Sequence, residues 1–137
     1  MSWDGYVQTL MAEHCQDAAI IGYPDNKYVW ASHEGGDFAK ITPAEIDALM
    51  SNDRQSFFIN GLTLGSEKCS VIRDRLEIEN EWGMDLRTKS STGPTFNIAL
   101  CRARKVFVLV KGKEGVYGGT LNTLAFKTVE YLRNAGY

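Results

Sequence analysis

Residues 84–110 read MDLRTKSSTGPTFNIALCRARKVFVLV, and the class of fold turns on them. Three strand-like runs stand in this stretch: Met84-Asp85-Leu86-Arg87, Phe96-Asn97-Ile98-Ala99-Leu100 and Val106-Phe107-Val108-Leu109-Val110. They are separated by Gly93-Pro94 and by the charged Arg102-Ala103-Arg104-Lys105. A parallel pair needs a crossover of about a dozen residues or more, so connections this short make the strands antiparallel neighbours. Towards the N-terminus the same texture continues through Leu76-Glu77-Ile78, Cys69-Ser70-Val71-Ile72, Leu62-Thr63-Leu64 and Phe57-Phe58-Ile59. With turns at Gly61, Gly65, Asn80 and Gly83, residues 56–111 read as an antiparallel meander. After it, Leu121, Leu124, Ala125, Thr128, Val129 and Leu132 form the inward stripe of a helix running from about Thr120 to a Gly136 stop.

Before the meander, Trp3, Tyr6, Val7, Leu10 and Met11 share one helical face behind a capping Ser2. The runs 18–23 and 28–31 around Pro24-Asp25-Asn26 read as a hairpin, and Gly35, Gly36 and Asp37 as a loop. Thr42-Pro43-Ala44-Glu45 combines a capping Thr, an N1 proline and an N3 glutamate ahead of Ile46, Leu49 and Met50, which starts a second short helix. Helix, hairpin, helix, meander, helix is an α+β order in which helices cover an antiparallel sheet.

At 137 residues, 44% hydrophobic and 23% charged, the chain is expected to form one soluble domain, 1–137, with a core that needs no staple. The net charge of −2 argues against nucleic acid held by bulk charge. Cys15, Cys69 and Cys101 are odd in number and widely spaced, with no zinc pattern, and read as free thiols. The longest apolar run, Val106 to Val110, is far short of the ~20 residues of a membrane span, and the start lacks a secretory pattern, so the cytosol is expected. His14 and His33 stand near no candidate nucleophile and no hydrolase motif occurs, so neither catalysis nor a cofactor is expected. The glycines around Lys113 do not match a phosphate-binding loop and read as a strand-to-helix turn.

Two features remain. Of fifteen aromatic residues, Trp3, Tyr6, Tyr131 and Tyr137 fall in the first six and last seven positions, where chains are usually polar. If the terminal helices lie side by side, these rings and Trp30 form either a shelf for a polyproline II ligand or ordinary packing between two helices. Arg73/Arg75 and Arg87/Lys89 pair at a period of two; with Lys68 and the Arg102, Arg104, Lys105 turn they concentrate positive charge in the meander half. That charge serves an acidic protein surface or phosphoinositide headgroup, or is simply a solvated face balanced by Asp74, Asp85, Glu77, Glu79 and Glu81.

The sequence resembles animal profilins along its whole length. The resemblance is carried by Ser2-Trp3-x-x-Tyr6, Gln16 to Tyr23, Ile41 to Glu45, Asn60 to Gly65, Lys68 to Asp74, Met84 to Lys89, Gly93 to Asn97 and Gly112 to Val116. It implies a central antiparallel sheet with both terminal helices on one face, in a cytoplasmic, cytoskeleton-associated protein that binds monomeric actin, proline-rich segments and phosphoinositides. By position, Trp3, Tyr6, Trp30, Tyr131, Leu132 and Tyr137 resemble the family's polyproline shelf, Tyr131 standing where animal members often have His. By the same resemblance, Ile59, Lys68, Ser70, Val71, Ile72, Arg73, Glu81, Arg87, Lys89, Thr95, Asn97, Val116, Gly119 and Asn122 match positions of the actin-contacting surface, to which Tyr117, Phe126 and Lys127 also belong by position. Of these Lys68, Arg73, Arg87 and Lys89 also match phosphoinositide-linked positions. Tyr117 replaces a common His, Thr123 a common Lys and Lys127 a common Glu. The function implied is an adaptor that promotes actin nucleotide exchange and delivers actin to proline-rich elongation factors such as formins. The alternative is a phosphoinositide-responsive signalling module with only weak actin binding.

Overall fold

The computed structural model describes residues 2–137. Helix α1 (Trp3–Leu10) begins where the Ser2 hydroxyl accepts the Gly5 N–H at 3.1 Å. Strands β1 (Cys15–Gly22) and β2 (Val29–Ser32) form the expected hairpin, followed by a 3₁₀ turn (Asp37–Lys40) and α2 (Pro43–Leu49). At α2 both halves of the capping box are made: Thr42 Oγ1 accepts the Glu45 N–H, and Glu45 accepts the Thr42 N–H. Then come α3 (Ser56–Asn60), β3 (Leu62–Leu64), β4 (Glu67–Arg75), β5 (Gly83–Thr88), β6 (Asn97–Arg102), β7 (Val106–Gly112) and α4 (Gly118–Asn134).

The seven strands make one antiparallel sheet in the order β2-β1-β7-β6-β5-β4-β3. Strands β3 to β7 are the expected meander, and β1 adds to its far edge beside β7. Alternation along β7 sends Phe107 and Leu109 to one core and Val106, Val108 and Val110 to the other. The first core lies under α2, α3 and the 3₁₀ turn; the second lies under α1 and α4, which share one face of the sheet.

Two segments depart from the strand reading. Phe57-Phe58-Ile59 is helix α3: Phe57 alone is buried, while Ser56 reaches back to Asp53 through both its N–H and its hydroxyl. Gly61 then turns the chain at φ +67°, where a Cβ would overlap the Cys69 carbonyl. Leu76-Glu77-Ile78 belongs to a turn from 76 to 82, closed by N–H bonds of Ile78 to Arg75 and of Glu81 and Trp82 to Ile78. Asn80 and Trp82 adopt positive φ there, and Leu76 alone of the three is buried.

One polar cluster, buried at Lys111 and Asp17, ties the sheet to its second layer. Lys111 on β7 places Nζ 2.6 Å from Glu67, 3.5 Å from Asp37 and over the Phe38 ring. Its cross-strand partner Asp17 is buried and accepts N–H bonds from Phe38 and Ala18.

Candidate functional site

The C-terminal end of α4 builds the first surface. Gly136 takes φ +97°, its N–H donates to the Arg133 carbonyl and the Tyr137 N–H donates to Leu132, a Schellman ending. That turn folds Tyr137 back over α1, edge-on to Trp3 with centroids 5.1 Å apart. Trp3 lies 5.3 Å from Trp30 and 5.6 Å from Tyr6, and Tyr6 lies 6.2 Å from Tyr131. The terminal helices therefore do lie side by side, and Trp3, Tyr6, Trp30, Tyr131 and Tyr137 form one continuous shelf. Tyr131 and Tyr137 are exposed and the other three half-buried, so the rings are more than interhelical packing. Each step of the shelf spans about two residues of a polyproline II helix rising ~3.1 Å per residue. Burial first, and then the neighbouring Tyr131 and Tyr137 phenols, push Tyr6 above its usual value, so the Tyr6 hydroxyl stays protonated as a donor.

Leu132 differs from its expected role, because it is buried at the base of the shelf and supports the rings from below. Tyr28 was missed by the sequence reading. It is exposed and 6.4 Å from Trp30, extending the row by one ring. Its spacing of two from Trp30 was visible, but assigning both to a strand hid that Tyr28 precedes β2 and that their rings meet.

The second surface is a groove of about 760 Å³ between the first half of α4 and the outer face of β4 to β6. Ile72, Arg73, Glu81, Arg87, Asn97, Tyr117, Gly119, Asn122 and Phe126 line it together. Its floor is ordered by polar contacts: Arg87 Nε donates to Asn97 Oδ1 at 3.0 Å and Asn97 Nδ2 donates to the Val116 carbonyl at 2.9 Å. Asn122 Nδ2 donates to Asp85 at 3.3 Å, and Arg73 stands 3.9 Å from the same carboxylate. Burial raises the Asp85 pKa, against the lowering influence of Asn122 and Arg73. Arg75 pairs with Glu81 on the wall at 3.0 Å.

The remaining candidates lie outside the groove lining. Lys68 and Lys89 face each other across β4 and the end of β5, next to the Ser70/Arg87 rung, and they line a neighbouring hollow of about 580 Å³ against α2 and α3. Ile59, 81% exposed, projects from α3 beside Phe58, a second exposed apolar residue that the sequence reading took into a strand. Thr95 and Lys127 are exposed outside the groove lining, and Val116 is half-buried beneath it. Val71 is a correction: the strand's alternation turns it into the α2–α3 core, 7% exposed, so it carries Ser70 and Ile72 without offering surface of its own. The Arg102–Lys105 turn is a second correction. It lies at the opposite end of β5 and β6 from Lys68 and Lys89, against Trp82, Arg133 and Tyr137.

The sequence model of the family described as Profilin matches residues 1–137. The chain is 56% identical to Profilin-2 of Rattus norvegicus over 137 residues, covering 98% of each. The crystal structure of human profilin II superposes with a TM-score of 0.94 at 55% identity, over 97% of this chain and 99% of that one. Mouse profilin IIa, solved in complex with a double repeat from the FH1 domain of mDia1, superposes over the full length of both chains with a TM-score of 0.97 at 53% identity. Among the described residues no helix is long and apolar enough to cross a membrane.

Proposed function

This chain belongs to the profilin family, and from that premise we propose that it is an actin-monomer-binding adaptor that carries actin on one surface and a proline-rich segment on another. The observation that carries this reading is the separation of two built surfaces along one helix. The shelf gathers at the C-terminal end of α4, and the groove opens along its first half. Asn122 and Tyr131 are nine residues apart, about 14 Å along a helix, so two partners can be held at once.

The shelf suits proline-rich segments, such as those of formins, because flat rings stack on proline and phenol and indole donors meet carbonyls that a polyproline II helix leaves unpaired. A relative solved with an FH1 repeat supports this assignment. The groove suits a folded partner: exposed Ile72 and Tyr117 supply apolar contact, and Arg73 and Arg87 supply charge for an acidic face. In this reading the bound monomer's nucleotide exchange is accelerated, the protein is cytoplasmic, and no step is catalytic. Arg73, Arg87, Lys68 and Lys89 would also meet phosphoinositide headgroups, so lipid and actin compete for this side.

Titrating tryptophan fluorescence with octaproline, and separately measuring binding to monomeric actin, tests the assignment. Trp3→Ala is expected to weaken octaproline by on the order of 1–3 kcal/mol, as for a central aromatic anchor, and to leave actin affinity nearly intact. Unchanged octaproline affinity in a folded Trp3→Ala variant would remove the shelf from the account.

A further inference from the structure

The shelf ends in a group of cations for which the two surfaces leave no use. Lys105 Nζ lies 5.7 Å from the Tyr137 ring centroid, so an ammonium borders the row of rings itself. Behind it, Arg133 stacks on Trp82 at 3.6 Å and donates through Nε and Nη2 to the Arg102 carbonyl. Burial, and then the charges of Arg102 and Arg104 against the opposing influence of Tyr23, hold the Arg133 guanidinium below its ordinary range. Arg102 Nε is buried with no hydrogen-bond partner. The Lys105 main-chain N–H donates to the Tyr137 oxygen at 2.5 Å, but among the described residues no side chain of Arg102, Arg104, Lys105 or Arg133 pairs with a carboxylate, whereas those of Lys27, Arg54, Arg73, Arg75 and Lys111 each do.

We infer that the β6–β7 turn is an anion-recognising extension of the aromatic shelf, in which Lys105 and Arg104 receive an aspartate or glutamate side chain flanking the proline run of the bound segment. The inference rests on the shelf being a proline-rich binding site, and it names what distinguishes one such ligand from another. A polyproline II chain advances ~3.1 Å per residue, so an acidic residue one or two positions past the last proline stacked on Tyr137 reaches the Lys105 ammonium. The ligand is already immobilised by stacking, so the added ion pair orders few further groups, and a cation on only one side of the row favours one direction of chain entry. A membrane headgroup would also meet positive charge here. The position of Lys105 against a shelf ring favours a peptide that occupies both.

The test compares octaproline with the same peptide carrying two glutamates before it, two glutamates after it, or two lysines at either end, at low and at physiological salt. One glutamate-flanked peptide is expected to bind about three- to tenfold more tightly than octaproline at low salt, the lysine peptides more weakly, and the differences to shrink as salt rises. In Lys105→Gln and Arg104→Gln the ratio of acidic to neutral affinity is expected to fall towards one. The ratio is taken within each folded variant, so a general loss of affinity does not mimic it. Equal affinity for all peptides, or a glutamate preference that survives both substitutions, overturns the extension and leaves the shelf standing. So does anionic-vesicle binding that depends on Arg104 and Lys105 while glutamate peptides gain nothing. Failure of neutral octaproline to bind overturns the shelf and the extension together.

Discussion

Removing the Lys111 ammonium would leave the buried Asp17 and the half-buried Glu67 without their cation. Lys111→Ala is therefore expected to destabilise the fold by on the order of 1–3 kcal/mol, the cost of stranding buried polar groups, read from the denaturant midpoint. Burial alone would lower the Lys111 pKa, but the Glu67 hydrogen bond and the charges of Glu67, Asp37 and Asp17 raise it overall. Its contribution is full below the unfolded lysine value of about 10.4 and is lost as pH rises through the higher folded value. The thiols act in the same direction. Burial pushes Cys15 up to about 11, and Cys69 and Cys101 to about 12, whereas unfolded thiols ionise near ~8.5. Above that pH the unfolded chain sheds protons that the native state keeps, so Tm is expected to hold to about pH 8 and fall steadily beyond it. A flat Tm through pH 11 would contradict these burials. Lys127 carries charge on the opposite side of the molecule and is exposed on α4, one turn after the groove-lining Thr123. Lys127→Glu should alter actin affinity by less than about tenfold, mainly through association rate, with the effect shrinking in salt. A larger, salt-independent change would place Lys127 inside the interface.

At the scale of elements, the end of α4 determines whether the shelf exists. Gly136→Val forces a branched side chain into a left-handed backbone, at a cost of roughly 1–3 kcal/mol that the chain avoids by giving up the Schellman turn. Tyr137 would then leave Trp3. Octaproline affinity should drop several-fold while Tm moves little and actin affinity stays the same, which paired titrations on one preparation can check. The same elements show what was legible beforehand. The α2 capping box, the α4 stripe with its Gly136 stop and the strands from β3 to β7 follow from local chemistry, and local chemistry is written in adjacent residues. Phe57-Phe58-Ile59 misled because three apolar residues are too few to distinguish a period of two from one of 3.6. Asp53 and Gly61, flanking them, decided for a helix. Leu76 to Ile78 misled because the residue that breaks the strand is Asp74, whose carboxylate accepts the Leu76 N–H and pairs with Arg54 twenty positions away. The aromatic shelf was legible as an excess of rings at both ends. Its meeting point was not, because Trp3, Trp30 and Tyr137 are brought together only by the sheet. Position-by-position likeness to the family assembled most of the groove, and the alternation of β4 withdrew Val71 from it.

At the scale of the whole molecule, α4 packs along β5 to β7 and gives one end to each surface. Trp82, stacked on Phe126 at 6.4 Å and under the Arg133 guanidinium, lies between the groove and the basic turn that borders the shelf. No hinge separates the two ends of this single helix, so occupation of one surface should leave the other in place, with a coupling free energy near zero. The most direct test is the affinity for monomeric actin measured with and without saturating octaproline. The two dissociation constants are expected to agree within about twofold and a ternary complex to form. Displacement of actin by octaproline would contradict it, because one surface would then be serving both partners.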